Sequence, residues 1–377
     1  MTQRRSFERV SDSSAINLAI GQPSSDLLPQ DLLSAGAAQF FESFHADMLN
    51  YGAPSGELEF RRALAEFLSD NSHTVDPDTL FLTGGSSQGL DLICARLTQP
   101  GDTVLVESAS YFLAFQIFQD HGLKVVGIPT DREGLRIDAL EQAIEQHHAK
   151  MIYTIPSFGN PTGISLSAAR RDAIVELSRK HRVIVAADEA YQQLHFEAPP
   201  PPSFGNHSDL GQVIVLGTFS KILAPGLRVG WLQLSRPLLE SMLDSGWINS
   251  GGAINQVGAM ITRQVLVSGA LDAHLSQLRR ELSCRAEAMD AALHQWLGDH
   301  AQWHKPGGGY FFWIKLTSGT NTQDALPRAI QAGSGYLPGN ICAAQGGFHD
   351  YLRLSFAAYN RAQITESIQR LSRVLKD

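Results

Sequence analysis

From Leu80 onward the chain repeats one pattern: a short run of apolar, largely β-branched residues, then a longer stretch with helical spacing. The runs are Leu80 to Leu82, Val104 to Val106, Val125 to Ile128, Met151 to Ile155, Val183 to Ala186 and Val213 to Leu216, and helical stretches such as Ser167 to Lys180 fill gaps between them. Runs that are apolar at consecutive positions call for cover on both faces. Strands separated by helices join in parallel, so the pattern specifies an α/β domain with a mostly parallel sheet. Such sheets bind ligands beyond the carboxyl ends of their strands. The loops that follow each run are therefore where function is to be sought.

The flanks read differently. Ile16 to Ile20 opens the ordered part, a helix follows from about Pro29, and Glu57 to Leu68 has helical spacing after the loop Tyr51 to Gly56. After about Arg263 come a long helix, Leu271 to Trp296, a Gly-rich strand, Gly307 to Trp313, a strand signal at Tyr351 to Phe356 and a last helix. That is a smaller α+β unit, and 377 residues are enough for two domains. The expected division is a flexible tail over 1–15, a segment over 16–50 that joins the small domain, a ligand-binding large domain over 51–268 and a small domain over 269–377. Pro199 to Pro202 must be an extended surface loop.

Composition removes several classes. A net charge of −8 without a block of like charges argues against nucleic acid or an anionic membrane as partner. The three cysteines are far apart and form no disulfide framework, which points to a reducing compartment, the cytoplasm. Arg4-Arg5-Ser6-Phe7 looks like a twin-arginine export signal, but charged residues and serines follow where an apolar core is required, so it reads as a solvated tail. No apolar run approaches the roughly 20 residues that span a bilayer.

The loops carry the chemistry. After Val213 to Leu216 comes Gly217-Thr218-Phe219-Ser220-Lys221-Ile222-Leu223-Ala224-Pro225-Gly226-Leu227-Arg228. A lysine between a hydroxyl and an apolar pair, if desolvated, loses its proton easily and becomes a nucleophile toward carbonyls. Arg228, fixed by Pro and Gly neighbours, suits a phosphate. An amine for an aldehyde beside a phosphate clamp points to pyridoxal phosphate, although a surface lysine at a turn is the commoner case. Thr83-Gly84-Gly85-Ser86-Ser87-Gln88-Gly89 joins a strand to a helix N-terminus and suits an anion, without the spacing of a Walker or dinucleotide loop. Its Gly85-Ser86-Ser87-Gln88-Gly89 also fits the G-x-S-x-G elbow of serine hydrolases. Only one clear strand precedes Ser87, however, where the elbow needs several. Asn160-Pro161-Thr162-Gly163 is a turn after one strand. Asp188 leaves another strand, where a carboxylate needs a cation or a satisfied structural role. No spaced ligand set accompanies it, so a protonated pyridine nitrogen is a stronger partner than a metal.

The set Asn-Pro-Thr-Gly, Asp-Glu-x-Tyr, Thr218-Phe219-Ser220-Lys221 with an arginine seven later, and Arg353-Leu354-Ser355-Phe356 occurs here in that order. It closely resembles the fold type I pyridoxal-phosphate aminotransferases of class I/II, nearest to the kynurenine/2-aminoadipate aminotransferase branch and the catalytic domains of MocR-type regulators. The resemblance runs from about Ile16 to the C-terminus. It implies that Lys221 holds the cofactor covalently and moves the substrate proton, and that Asp188 pairs with the pyridine nitrogen. Tyr191 and Asn160 would bond the ring oxygen, and Tyr111 would stack on the ring. Gly85, Ser86, Ser87, Thr218, Ser220 and Arg228 would hold the phosphate, helped by Tyr51 from the second subunit of a homodimer. Arg353 would take the substrate α-carboxylate, with Asn160 and the Gly21 backbone beside it. The chain departs from the family at Gly-Gly-Ser-Ser in the phosphate loop, at Ser108-Ala109-Ser110-Tyr111, which lacks a proline before the tyrosine, and at Gly159.

The activity expected is transfer of an α-amino group from an L-amino acid to a 2-oxo acid. Lyase, decarboxylase, racemase or synthase chemistry shares the same residues, because bond orientation at the α-carbon separates these outcomes. A non-catalytic effector-sensing domain is the alternative from another class, ranked lower because the chain opens at the aminotransferase arm and is acidic. His147, His148 and His195 read as surface or supporting residues, and Phe311, Phe312 and Trp313 as core.

Overall fold

Seven strands build the large sheet: β1 (Leu80–Thr83), β2 (Thr103–Glu107), β3 (Lys124–Ile128), β4 (Met151–Thr154), β5 (Ile184–Asp188), β6 (Val213–Thr218) and β7 (Gly230–Leu234). The structure, a computed structural model, describes residues 15–376 apart from Phe44 and Ala253. Except for Ala15, the expected tail lies outside the described residues, and so does its Arg4-Arg5 pair. Across the sheet the order is β1-β7-β6-β5-β4-β2-β3. Neighbours from β6 to β3 are parallel, and β7 runs antiparallel between β6 and β1.

Alternate residues of each central strand enter two separate apolar layers, as the period of two requires. Leu105, Ile152, Val185, Val213 and Val215 face the helices Ile137–His147 and Ala168–His181 on one side. Val104, Val106, Met151, Tyr153, Ile184, Ala186, Ile214 and Leu216 face the other layer, which continues toward the C-terminal elements. Cover on both faces is the reason these runs are apolar throughout. Truncating one such side chain, Ile214 to alanine for example, costs about 2–5 kcal/mol.

Strand β7 was not expected. Its Gly-Trp-Leu-Gln-Leu carries a polar residue in the middle of a buried run, but the Gln233 amide is satisfied by donating to Gly205 O at 3.1 Å and Ser208 Oγ at 3.4 Å. Gly230 at its start lets the loop of Gly85 close in: a Cβ there would sit 2.7 Å from Gly85 Cα.

The second sheet is antiparallel, with strands β8 (Ala301–Trp303), β9 (Phe311–Leu316), β10 (Leu337–Pro338) and β11 (Tyr351–Ser355) in the order β8-β9-β11-β10. The rhythm change expected near Arg263 falls inside a helix, Gln256–Val267. The break comes at Gly269, left-handed at φ 71°, before the long helix Ala270–Trp296. The N-terminal segment docks on these C-terminal elements. Ile16–Asn17 pairs in parallel with Ser334–Gly335, and Ser355 N donates to Leu18 O at 2.7 Å. Arg285, fully buried in the long helix, donates to Ser24 Oγ at 2.8 Å and Asp26 Oδ2 at 2.6 Å. These contacts deliver residues 19–21 to the ends of the large-sheet strands.

Candidate active site

Strands β1, β2, β4, β5 and β6 end in loops that contribute residues to a common region, and β11 contributes another from the second sheet. The anion end is built first by backbone. Gly85 adopts φ +98° immediately before the helix Ser86–Leu97, where a Cβ would lie 2.6 Å from Arg228 Nη2. The helix thus presents the N–H groups of its first turn, and its dipole, beside a guanidinium. Arg228 is itself left-handed, at φ 51°. Asn255 Nδ2 donates to the carbonyls of Leu227 at 2.6 Å and Arg228 at 2.9 Å, which pins that turn. The Arg228 side chain donates to Gly84 O at 2.5 Å and to Ser220 Oγ and Pro225 O, both at 3.3 Å. The Thr218 and Ser220 hydroxyls stand 2.9 Å apart. Ser86 opens the helix and Ser87 is exposed one residue on.

Lys221 lies where β6 has just ended. Its Nζ donates to Gly21 O at 3.0 Å and sits 5.7 Å from the Tyr310 ring centre, and the Tyr310 hydroxyl donates to Lys221 O at 2.8 Å. Burial, then the charge of Arg353, brings the amine down to about 8, against the pull of Asp188. A large share of it is therefore neutral near pH 8, as a nucleophile or proton acceptor needs.

Asp188 ends β5 with 7% of its surface exposed. Burial pushes its carboxyl up to about 6, and a hydrogen bond from Tyr153 opposes that rise. The neighbouring Glu189 is not part of the same work. It accepts from Ser203 Oγ at 2.6 Å and Phe204 N at 2.7 Å, with Arg171 4.0 Å away. Tyr111 begins the helix Phe112–Asp120. Burial and the charge of Asp188 push its phenol up to about 12, against the charge of Arg353 and a hydrogen bond with Ser87. Tyr191 is buried, its phenol driven well above 10 chiefly by desolvation, with Arg353 pulling the other way.

Arg353 comes from the alternating strand β11, whose Leu352 and Leu354 are fully buried on the other face. It is only 3% exposed. Nη1 donates to Asn160 Oδ1 at 2.8 Å, Nη2 to Ala19 O at 2.7 Å, and the guanidinium carbon lies 4.2 Å from the Phe311 ring centre. Nε is buried with no partner. A buried cation with an unused donor edge is a site for a carboxylate. Asn160 is itself buried, and spending Oδ1 on Arg353 leaves its amide hydrogens available to another acceptor.

Thirteen of the expected residues converge here: Gly21, Gly85, Ser86, Ser87, Tyr111, Asn160, Asp188, Tyr191, Thr218, Ser220, Lys221, Arg228 and Arg353. The fourteenth, Tyr51, is 85% exposed and has its ring near Gly251. One expectation is extended and one corrected. Phe311 is buried, yet its ring also supports Arg353 and meets Tyr191 edge-on at 5.9 Å, so it is a wall of the site as well as core. Trp313 is not core: it is partly exposed and stacks on Tyr351 at 5.3 Å on the open face of the second sheet. Phe312 is core as expected. Tyr153, Tyr310 and Asn255 were missed, because a tyrosine in an apolar strand and an asparagine in a loop carry no local sign of their tertiary partners.

The donor set fits pyridoxal phosphate: a backbone and guanidinium cradle for a dianion, a depressed lysine for an aldehyde, and a buried carboxylate for a ring nitrogen. Comparisons with known proteins agree with that chemistry. A family model for aminotransferase class I and II matches residues 13–371. An aromatic-amino-acid aminotransferase of Thermococcus litoralis is 32% identical over 99% of this chain and 91% of its own length. An uncharacterized HTH-type transcriptional regulator of Bacillus subtilis is 31% identical over 85% of this chain and 67% of its own. The solved kynurenine aminotransferase of Pyrococcus horikoshii, in complex with PMP, superposes with a TM-score of 0.90 at 29% identity, covering 100% of this chain and 96% of that one.

Proposed function

Because the chain belongs to the class I and II aminotransferases, we propose that this site moves the α-amino group of an L-amino acid to a 2-oxo acid, with Lys221 as the covalent anchor of pyridoxal phosphate. The observation that carries the assignment is the placement of Lys221, just past the carboxyl end of a central strand with Nζ donating to Gly21 O at 3.0 Å, where burial and then the charge of Arg353 bring its amine down to about 8. The bound cofactor supplies an electron sink for negative charge at the substrate α-carbon.

The chain's own residues do the rest. Gly85, Ser86, Ser87, Thr218, Ser220 and Arg228 hold the phosphate. Asp188 would pair with the ring nitrogen and keep it protonated. The Asn160 amide and the Tyr191 hydroxyl would donate to the ring oxygen, and Tyr111 would cover the ring. Arg353 orients the substrate by its carboxylate, while Phe311 and Tyr310 keep water from the charges. Lys221 Nζ, once free, would accept the proton from the substrate α-carbon and pass it to the cofactor carbon that carried the aldehyde, the shift that amino transfer requires.

The same reading gives residues 51–268 to a large cofactor-binding domain and joins 16–50 to a small domain over 269–377. It makes the protein a cytoplasmic homodimer. Supporting the dimer, Leu49, Tyr51, Leu58, Trp247 and Val257 expose apolar surface, a feature of protein interfaces. In that arrangement Tyr51 reaches the phosphate of the second copy. No helix among the described residues is long and apolar enough to cross a membrane.

The test is borohydride reduction of the yellow holoenzyme followed by peptide mapping. The reduced adduct is expected on Lys221; an adduct on another lysine would remove the assignment, and fluorophosphonate labelling of Ser87 would point to a hydrolase instead. The likeness to a transcriptional regulator keeps effector sensing as a second reading. Conversion of the bound cofactor to its amine form by an amino acid, followed by release of the 2-oxo acid, decides between them.

A further inference from the structure

One fully buried side chain reaches Asp188 from the neighbouring strand. Tyr153 stands on β4, paired in register with Ala186 of β5. Asp188 lies two residues beyond Ala186 and therefore on the same face of the sheet. The Tyr153 ring is sealed from solvent and packs edge-on against Phe118, with centroids 5.5 Å apart. Its hydroxyl donates to Asp188 Oδ2 at 3.0 Å, whereas the other oxygen has only the longer contact from Ala190 N at 3.3 Å.

We infer that Tyr153 is a positioning residue for amino transfer: its hydroxyl fixes the Asp188 carboxylate in one orientation and keeps it ionised for the ring nitrogen. This rests on the reading of Asp188 as the partner of that nitrogen. A buried carboxylate drifts toward its neutral form unless a donor holds the charge. Tyr153 is the strongest influence opposing that drift at Asp188. Burial and the Asp188 charge push the phenol well above 10, so it remains a donor throughout the working range. Being neutral, it also adds no positive charge to a region that already holds Lys221, Arg228 and Arg353.

The other groups that act on Asp188 are Lys221 beyond β6, Glu189 next in the chain, and the phenols of Tyr111 and Tyr191. Glu189 is occupied by Ser203, Phe204 and Arg171. Among the described residues, Tyr153 is the side chain bonded to Asp188.

A double-mutant cycle on cofactor retention tests this without recourse to turnover. The dissociation constant of pyridoxal phosphate is measured by equilibrium dialysis of the holoenzyme for the wild type, Tyr153→Phe, Asp188→Asn and the double variant. Tyr153→Phe removes one oxygen and keeps the ring against Phe118. It should weaken retention roughly ten- to a hundredfold, the worth of a hydrogen bond to a charged group. In the Asp188→Asn background it should add nothing. Equal penalties in both backgrounds, or none in either, would overturn the inference and leave the role of Asp188 intact. Unchanged retention in Asp188→Asn alone would overturn both. Tyr153→Met removes the hydroxyl with a different shape and should couple to Asp188 equally; coupling seen with Phe alone would assign the effect to packing and refute the role of the hydroxyl.

Discussion

Replacing Arg353 with alanine asks whether amino acids are gripped by their carboxylate here. The guanidinium has five N–H donors, and the structure uses two of them, on Asn160 and Ala19. The edge that includes the orphan Nε is free, and the Phe311 ring supports the group from one side. A substrate carboxylate can therefore add to a cation that is already held in place, with two parallel bonds and little reorganisation. Removing that cation leaves the carboxylate unpaired in a buried setting, a loss of about 2–5 kcal/mol. The corresponding fall in kcat/KM is roughly thirtyfold to several thousandfold. Arg353→Lys should recover only part of it, because an ammonium cannot supply the paired bonds.

The assay is the half-reaction of the holoenzyme with an amino acid and with the matching amine that lacks the carboxylate. The amino acid should lose the full factor and the amine little. Equal loss for both would show that the variant damages the site in general, as could happen through the lost bond to Asn160. No loss for the amino acid would remove Arg353 from substrate binding altogether.

Gly85→Ala forces a side chain into φ +98° and against Arg228. It should weaken cofactor binding by about five- to a hundredfold from roughly 1–3 kcal/mol of strain, while Gly226→Ala, in open space, should change nothing in the same titration. For the shared site, mixing inactive Lys221→Ala with Tyr51→Phe protein should restore part of the activity, because some mixed dimers regain one intact site; failure after confirmed subunit exchange would count against Tyr51 acting in trans. The Lys221 amine is reactive when neutral, so the rate at which apoprotein takes up pyridoxal phosphate should rise with pH and level off above about 8. In Arg353→Ala that inflection should move up, since the lost positive charge no longer opposes the ammonium; an unmoved inflection would contradict the electrostatic account.

Much of this was legible in the chain. The apolar runs marked the strands because both sheet faces are buried, and the loops after them carried Asn160, Asp188 and Lys221. Arg353 was legible from alternation, since Leu352 and Leu354 had to face the core and turn it the other way. What escaped were residues whose meaning is tertiary. Tyr153 fills the same layer as Met151, and only the neighbouring strand reveals the carboxylate above its hydroxyl. Arg285 reads as one charge on a long amphipathic helix, yet it is fully buried and ties down Ser24 and Asp26 from the far end of the chain. Strand β7 was hidden because Gln233 breaks an apolar run and finds its partners in a distant loop.

The charges of the site do not balance within the chain. Arg228 and Arg353 both lower the Lys221 amine, and Asp188 alone among its influences raises it. Glu107 lies nearby, but its oxygens are spent on Thr154 at 2.6 Å, Ile155 N at 3.1 Å and Ser110 at 3.0 Å. It therefore ties the loop before Tyr111 to the strand before Asn160 rather than neutralising a cation. Burial brings both Lys221 and Arg353 down, so keeping these cations charged in a partly desolvated region opposes folding. An anion at each end relieves them: a phosphate at exposed Arg228, and a carboxylate at buried Arg353. Ligands that bind only the folded state stabilise it, by about 2.7 kcal/mol at a hundred times their dissociation constant. The exposed end can be filled without moving any covering segment. The buried end lies beneath residues 19–21, whose carbonyls hold both Arg353 and Lys221. A cofactor that remains bound suits the first position. A substrate that must leave each cycle suits the second, where the free Nε edge takes its carboxylate without breaking the Ala19 bond.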